Sequence, residues 1–354
     1  MDIGLFVPPV ADSASLVKRA EQLGYTRAWM YDTPMLNSEL FVSLTAAALA
    51  TSKIRIASGV MIPGNRIAPV AAGGLATLSA LAPGRVDCGL GTGFTARRTL
   101  GIRPVKLAEL EEYVRVVSGL LAGATLEWEF EEKKRKIRFL DPDIGAINIR
   151  DPIPMYISAF GPKARRLIAK LGCGWIDAPH GLEQARANME DMKKAWREAG
   201  RDLATLKVIA AVPGCVLKEG EAYDSPRVKS VTGPHAIIAL HSLVEADQFG
   251  DIGRAPPDFL KPYLDRYRAV YDKFQPADAR YLQNHVGHLM FLKPGEEAIC
   301  TGDLIKAATW TATRPELTEK MRELKSLGYA SLCVEMGYRH PEKLDEWLEV
   351  FEGI

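Results

Sequence analysis

Residues 54–93 read IRIASGVMIPGNRIAPVAAGGLATLSALAPGRVDCGLGTG. Two short apolar runs, Ile54–Val60 and Val86–Leu90, flank a helical stretch, Ala68–Leu81. A strand, a helix and a strand in this order make a βαβ unit, in which the crossover helix lets the two strands lie parallel. The pattern extends in both directions. Upstream, Asp2–Val7 and Arg27–Tyr31 read as strands, followed by helices Ser13–Leu23 and Glu39–Ala50. Downstream, a helix over Leu107–Leu121 precedes strands Met155–Ser158, Gly174–Asp177 and Val208–Leu217, with helices Lys163–Leu171 and Leu182–Glu198 between them. Near the end, helix Pro315–Leu327 leads into strand Ser331–Met336 and a last helix, Pro341–Phe351. Eight such strands are the count for a closed (β/α)8 TIM barrel, and an open doubly wound sheet is the alternative. Leu23-Gly24-Tyr25, Leu171-Gly172-Cys173 and Leu327-Gly328-Tyr329 repeat one junction, a helix stopped by glycine just before a strand.

Two segments interrupt the alternation of this single domain, 1–354. In 122–150, the acidic run Leu126–Glu132 meets the basic run Lys133–Phe139. A hairpin would pair opposite charges across its strands and put Trp128, Phe130, Ile137 and Phe139 on one face. Residues 218–314 separate the seventh and eighth strands. A structureless loop of that length is not expected in a compact domain, so helices are predicted there, one over Pro262–Phe274. This insertion leaves the C-terminal end of a strand, the side of a barrel where active sites lie, and reads as a lid and substrate-pocket wall.

The bulk composition excludes several classes. The 354 residues are 47% hydrophobic and 25% charged, with a formal net charge of +1. No field of one sign selects for nucleic acid or an anionic membrane. The start lacks a basic and apolar leader, and the most apolar run, Phe41–Ala50, is too short to span a bilayer, so a cytoplasmic protein is expected. Cys88, Cys173, Cys215, Cys300 and Cys333 are scattered and read as small buried residues of a reducing compartment.

In a barrel, chemistry belongs just after each strand. Those positions hold Tyr31-Asp32-Thr33-Pro34-Met35, Ser58–Asn65, Gly91–Arg98, Ser158–Lys163 and Asp177–His180. At Gly161-Pro162-Lys163, proline suits the first helical position, the helix's opening N–H groups suit an anion, and Lys163 adds charge. A phosphate site and an ordinary βα turn are both consistent with that sequence. Gly91-Thr92-Gly93 lacks the third glycine of a dinucleotide fingerprint.

Together these stretches resemble the luciferase-like superfamily of flavin-dependent monooxygenases and F420-dependent oxidoreductases. The resemblance is carried by Ile3–Phe6, Ala20–Asp32, Ile54–Pro63, Ala68–Gly93 and Pro154–Gly174, and it leaves 218–314 poorly covered. It is greatest to the methylenetetrahydromethanopterin-reductase-like branch. The resemblance implies a flavin across the strand ends, with Ser58, Gly59 and Val60 behind the ring and a non-prolyl cis peptide at Gly59–Val60. Gly91, Thr92 and Gly93, with the stretch Ala159, Phe160, Gly161 and Pro162, would supply backbone N–H groups to the ribityl phosphate, and Ser158 and Lys163 would also belong to the cofactor site. Asp32 would lie beside the flavin edge, or pair with a nearby backbone N–H. The sugar-phosphate dehydrogenase branch carries a histidine and a glutamate where this chain has Thr33 and Phe94, which argues against that activity. Tyr31, Met35, Met61 and Phe94 then suggest an apolar pocket wall, or core packing.

Two cofactor assignments follow from the resemblance. One is a monooxygenase using O2 and reduced FMN, supplied by a separate flavin reductase, on a small organic substrate. The other is F420-dependent hydride transfer, with Arg97 and Arg98 meeting the cofactor's acidic tail. A catalytically silent subunit supporting a partner chain is a third reading. A homodimer is expected. His180 and His288 are candidate general acids or bases. His285 and His288 form an H-x-x-H pair without an evident carboxylate or cysteine partner, so no metal site is expected.

Overall fold

A computed structural model describes residues 2–250, 256–352 and 354. Eight parallel strands close into a barrel. They are β1 (Asp2–Val7), β2 (Arg27–Met30), β3 (Arg55–Met61), β4 (Val86–Leu90), β5 (Met155–Ser158), β6 (Gly174–Asp177), β7 (Val208–Val212) and β8 (Ser331–Glu335). Each strand pairs with its neighbours in sequence, and β8 closes on β1 with Ile3 opposite Leu332 and Leu5 opposite Val334. The surrounding helices are α1 (Ser13–Gln22), α2 (Leu40–Ala50), α3 (Ala68–Leu81), α4 (Leu107–Leu121), α5 (Pro162–Leu171), α6 (Leu182–Glu198), α7 (Arg314–Leu327) and α8 (Lys343–Phe351). The fold is the (β/α)8 barrel that the alternation predicts.

Strands buried on both faces are apolar without interruption, and β7, Val-Ile-Ala-Ala-Val, is buried at every residue. Inside the barrel, Phe6, Trp29, Ala57, Tyr156, Ile176, Ile209, Ala211 and Cys333 form a packed plug. Beneath it, the buried Asp87 carboxylate takes Arg27 at 2.6 Å and Arg55 at 2.7 Å. A larger cluster lies between strands and helices. The Leu-Gly junctions end their helices with Gly24, Gly172 and Gly328 at φ of 91°, 72° and 108°. That left-handed conformation is where glycine carries no Cβ penalty. All five cysteines are buried and free. Among the described residues, no helix is long and apolar enough to cross a membrane.

One strand is shorter than the sequence suggests. β7 stops at Val212, and Val216–Leu217 forms a separate strand against Ala312–Thr313. Pro213 lacks the N–H a ladder needs, and Gly214 lies so close to the Trp310–Thr311 backbone that a Cβ there would meet Trp310 C at 2.9 Å.

Leu126–Phe130 and Lys133–Ile137 pair antiparallel, with Glu127 opposite Lys136 and Glu129 opposite Lys134. Trp128 and Phe130 stack at 4.8 Å. The insertion 218–314, described except for 251–255, holds helices Pro226–Val244, Ala246–Phe249, Lys261–Tyr271, Tyr281–Asn284 and Gly302–Ala308. These helices enclose a core of their own, with Val231, Ile237, Leu240, Tyr267 and Leu304 at its centre.

Candidate functional site

The barrel mouth opens into a cavity of about 940 Å³. That volume is near the top of the ~300–1,000 Å³ range of small-molecule sites. The loops after β2 to β5 supply most of its wall, and Ile238, Phe249, His288 and Leu289 of the insertion complete it.

The floor is made by β3 and β4. The Gly59–Val60 peptide is cis, and the β3–β4 register shifts between Ser58 and Met61. The backbone at Gly59 presses on the barrel plug, where a Cβ would lie 2.5 Å from Trp29 Cβ. Val60 is thereby turned toward the cavity over Gly91, whose own Cβ would meet Val60 Cγ2 at 2.6 Å. Gly93, at φ 79°, turns the chain into the short helix Phe94–Arg98. Across the cavity, α5 opens with Pro162 in its first turn and no side-chain cap. Uncapped N–H groups at a helix start suit an anion. Arg103, Lys106 and Lys163 line the same cavity.

A tricyclic ring with an anionic tail fits these residues. Val60, Ile62 and Phe94 offer apolar contact, while the α5 start and the three cations offer a place for negative charge. The Tyr31 hydroxyl, also at the wall, is buried with no hydrogen-bond partner among the described residues. Burial, with the nearby Glu335, pushes that phenol well above its ordinary value.

The structure gathers Gly59, Val60, Gly91, Thr92, Gly93, Ser158, Ala159, Phe160, Gly161, Pro162 and Lys163 around the cavity, together with Tyr31 and Phe94. Other residues singled out in the sequence lie elsewhere. The Ser58 hydroxyl points into the barrel wall, donating to Gly89 O at 2.9 Å and accepting from Gly89 N at 3.1 Å. Met61 is in the core, and Met35 is 60% exposed outside the cavity. Arg97 Nε donates to Arg103 O at 2.6 Å and does not line the cavity. Arg98, fully buried, donates to Ser242 O at 2.9 Å and Gly250 O at 2.6 Å, with the Phe94 and Phe249 rings 5.2 Å and 5.9 Å from its guanidinium. The sequence-predicted arginine pair therefore ties the β4 loop together and to the insertion, and Arg103 and Lys106 take its place at the cavity.

Asp32 reaches the wall, but its carboxylate is engaged. Oδ2 accepts from Ile62 N at 3.1 Å, Asn65 Nδ2 at 3.1 Å and Arg66 at 2.9 Å. In this arrangement Asp32 organises the β3–α3 loop. His180 stands outside the cavity lining, its Nδ1 3.3 Å from Ala308 O and its ring edge-on to Phe259. His288 does line the cavity, with Nε2 3.0 Å from Thr95 Oγ1. Burial, together with His241, His285 and Lys293 nearby, pushes His288 well below the usual imidazole range.

Behind His288 the fold assembles a group that the sequence did not reveal. His241, from helix Pro226–Val244, joins His285 and His288 in one buried cluster. Glu296 and Glu245 back it, at 2.8 Å from His241 Nε2 and 3.0 Å from His285 Nε2. Burial pushes His241 down to about 4. Glu296 is held at about 2, because hydrogen bonds and charge from His241 and Lys293 outweigh its burial. H-x-x-H was a local signal, but His241 and Glu245 lie 47 and 40 residues from the histidines they meet, while Glu296 follows the pair by only a short turn.

A profile of the luciferase-like monooxygenase family matches residues 4–331. The chain belongs to that family. Among curated relatives it is 30% identical over 213 residues to the 5,10-methylenetetrahydromethanopterin reductase of Methanolobus tindarius, covering 58% of this chain and 62% of that protein. It is 32% identical over 240 residues to the reductase of the same name from Archaeoglobus fulgidus, covering 65% of this chain and 69% of the other. It is 32% identical over 141 residues to the F420-dependent glucose-6-phosphate dehydrogenase of Beutenbergia cavernae, covering 38% and 40% of the two chains. Among solved structures, the F420-dependent tetrahydromethanopterin reductase of Methanopyrus kandleri superposes with a TM-score of 0.72 at 20% identity, over 98% of this chain and 97% of that one. The FMN-bound oxygenating constituent of 3,6-diketocamphane monooxygenase from Pseudomonas putida gives 0.61 at 15% identity, over 100% and 96%. The chain thus spans less than two thirds of the length of two of these three curated relatives.

Proposed function

We propose that this luciferase-like protein binds F420 in the barrel-mouth cavity and moves a hydride between that cofactor and a small organic substrate. The observation that carries the reading is the cavity itself: an apolar floor at Val60 over Gly91, facing the uncapped start of α5, with Arg103, Lys106 and Lys163 around it. Three cations suit the polyanionic tail of F420 better than the single phosphate of FMN. Sequence kinship to an F420-dependent dehydrogenase weighs in the same direction. Against a sugar phosphate as substrate, Thr33 and Phe94 line the cavity where that branch carries its histidine and glutamate.

Bound there, a deazaflavin supplies a ring carbon that gives or takes a hydride. The protein's part is to place the ring and the substrate and to keep water out. Val60 and Gly91 set the depth of the ring, and Ile62, Phe94 and Leu289 close apolar surface around it. Thr95 adds a hydroxyl to that wall beside those of Tyr31, Thr92 and Ser158, and its Oγ1 lies 3.0 Å from His288 Nε2. Two copies pack into a homodimer through α2 and α3, which carry no charged residue and leave Val42 and Leu49 each 69% exposed.

The test is a fluorescence titration with F420 and with FMN, oxidised and reduced, followed by oxygen-uptake measurements. Saturable F420 binding without oxygen consumption is the expected result. Tight binding of reduced FMN with oxygen uptake would instead establish the monooxygenase. Binding of neither cofactor would leave a supporting subunit.

A further inference from the structure

The three buried histidines behind the cavity wall make an unusual arrangement. Their Nδ1 atoms face one another: His241 and His288 at 3.0 Å, His285 and His288 at 3.5 Å. All three lie within 4.8 Å of one another. Each Nε2 is turned outward to an oxygen: Glu296 Oε1 at 2.8 Å from His241, Glu245 Oε2 at 3.0 Å from His285, and Thr95 Oγ1 at 3.0 Å from His288. Carboxylates only accept, so they fix the Nε2–H tautomer of His241 and His285. Those rings then present Nδ1 lone pairs to the centre, and His288, whose Nε2 faces a hydroxyl able to donate or accept, can present a third. A proton on His288 Nδ1 can bridge only one of the two lone pairs held at this centre at a time, whereas a metal ion takes all three nitrogens.

The geometry points to a divalent transition-metal site with His241, His285 and His288 as Nδ1 ligands. Zn–N bonds of about 2.0–2.1 Å in a tetrahedron place ligand nitrogens ~3.3–3.4 Å apart, between the two separations that link His288 to its neighbours. Imidazole nitrogen selects zinc and neighbouring borderline ions over magnesium or calcium. The outer layer has the form that metal sites require. Ligand histidines pass their second N–H to carboxylates, and these are held in turn. Glu296 takes the Tyr267 hydroxyl at 3.0 Å and Lys293 at 2.5 Å, and Glu245 takes Asn284 Nδ2 at 2.8 Å with Arg98 at 3.8 Å. Two carboxylates face two cations, so a dication would bring its full charge to a neutral shell. Three protein ligands leave a fourth position for water or an exogenous ligand.

Metal content and Co2+ spectroscopy on the full chain test this without reference to activity. After dialysis against chelator, the wild type is expected to take up about one equivalent of Zn2+ or Co2+ and none of Mg2+. The cobalt form should show the visible d–d bands of a low-coordinate nitrogen site. H241N is expected to lower Co2+ affinity at least 100-fold, and E245Q, acting through His285, by about 10-fold or more. Uptake by the wild type no greater than by an H241N/H285N double variant would overturn the assignment. If those variants do not fold, X-ray absorption of the wild-type cobalt form decides: imidazole scatterers support the site, and an oxygen-only shell overturns it.

Discussion

Glu335 ends β8 at the barrel mouth, and replacing it with glutamine has a consequence that can be worked out. Its side chain keeps only 16% of its surface, with His235 Nε2 3.4 Å away. Lys343 Nζ donates to the Glu335 backbone carbonyl, not to its carboxylate. Burial therefore dominates, and it raises the carboxyl from 4.5 to about 7. In the window from 4.5 to about 7 the folded chain keeps a proton that the unfolded chain has lost. Stability contributed by this group is complete below 4.5 and falls as pH rises through about 7. The full effect corresponds to about 3 kcal/mol, a ceiling because the group is not wholly buried. His235 works in the opposite sense: burial holds it well below 6.5, so the unfolded chain alone is protonated in acid. Comparing E335Q with wild type removes that term. Urea unfolding at pH 5 and pH 8 should give closely similar midpoints at pH 5. At pH 8, E335Q should be the more stable by about 2 kcal/mol, allowing for a loss when Lys343 no longer faces a carboxylate. Parallel pH profiles for the two proteins, or a less stable E335Q at pH 8, would refute the burial argument.

Three further outcomes are expected. In G91A the new Cβ falls 2.6 Å from Val60 Cγ2, so cofactor affinity should drop at least 10-fold with the thermal midpoint within a few degrees of wild type; unchanged binding would remove Gly91 from the cradle. D32N breaks the 2.9 Å pair with Arg66 and should cost about 2 kcal/mol in urea unfolding, with a matching loss of cofactor binding as the 62–66 loop loosens; a stable variant lacking turnover would instead give Asp32 a chemical role. V42E/L49E puts charge on the α2–α3 face and should yield monomers by light scattering, whereas a wild type that is itself monomeric would withdraw the dimer.

The fold was legible because its signals are local. Most strand boundaries follow from apolar runs of four to seven residues, and the Leu-Gly junctions mark helix ends by a backbone requirement that only the adjoining residues decide. The cavity loops were legible at one remove, since topology alone sends every strand end to the same mouth. Side-chain direction was not. Ser58 and Met61 stand at the correct strand end, yet the Ser58 hydroxyl bonds Gly89 and Met61 is in the core, while Val60 between them faces the cavity. Arg97 and Arg98 follow Gly-Thr-Gly as tail-binding cations would, but a five-residue helix there points them to backbone carbonyls.

That short helix, Phe94–Arg98, also explains why the insertion had to be seen to be read. Its two ends grip the histidine cluster from one side: Thr95 meets His288, and Arg98 approaches Glu245, the carboxylate behind His285. The contacts span 193 residues in one case and 147 in the other, so no periodicity in 218–314 could announce them. Phe94, in the same turn, lines the cavity. One turn of chain after β4 therefore touches the cofactor cradle on one face and the buried histidines on the other. Thr95 is thus a point at which a change at His288 would reach the cavity wall.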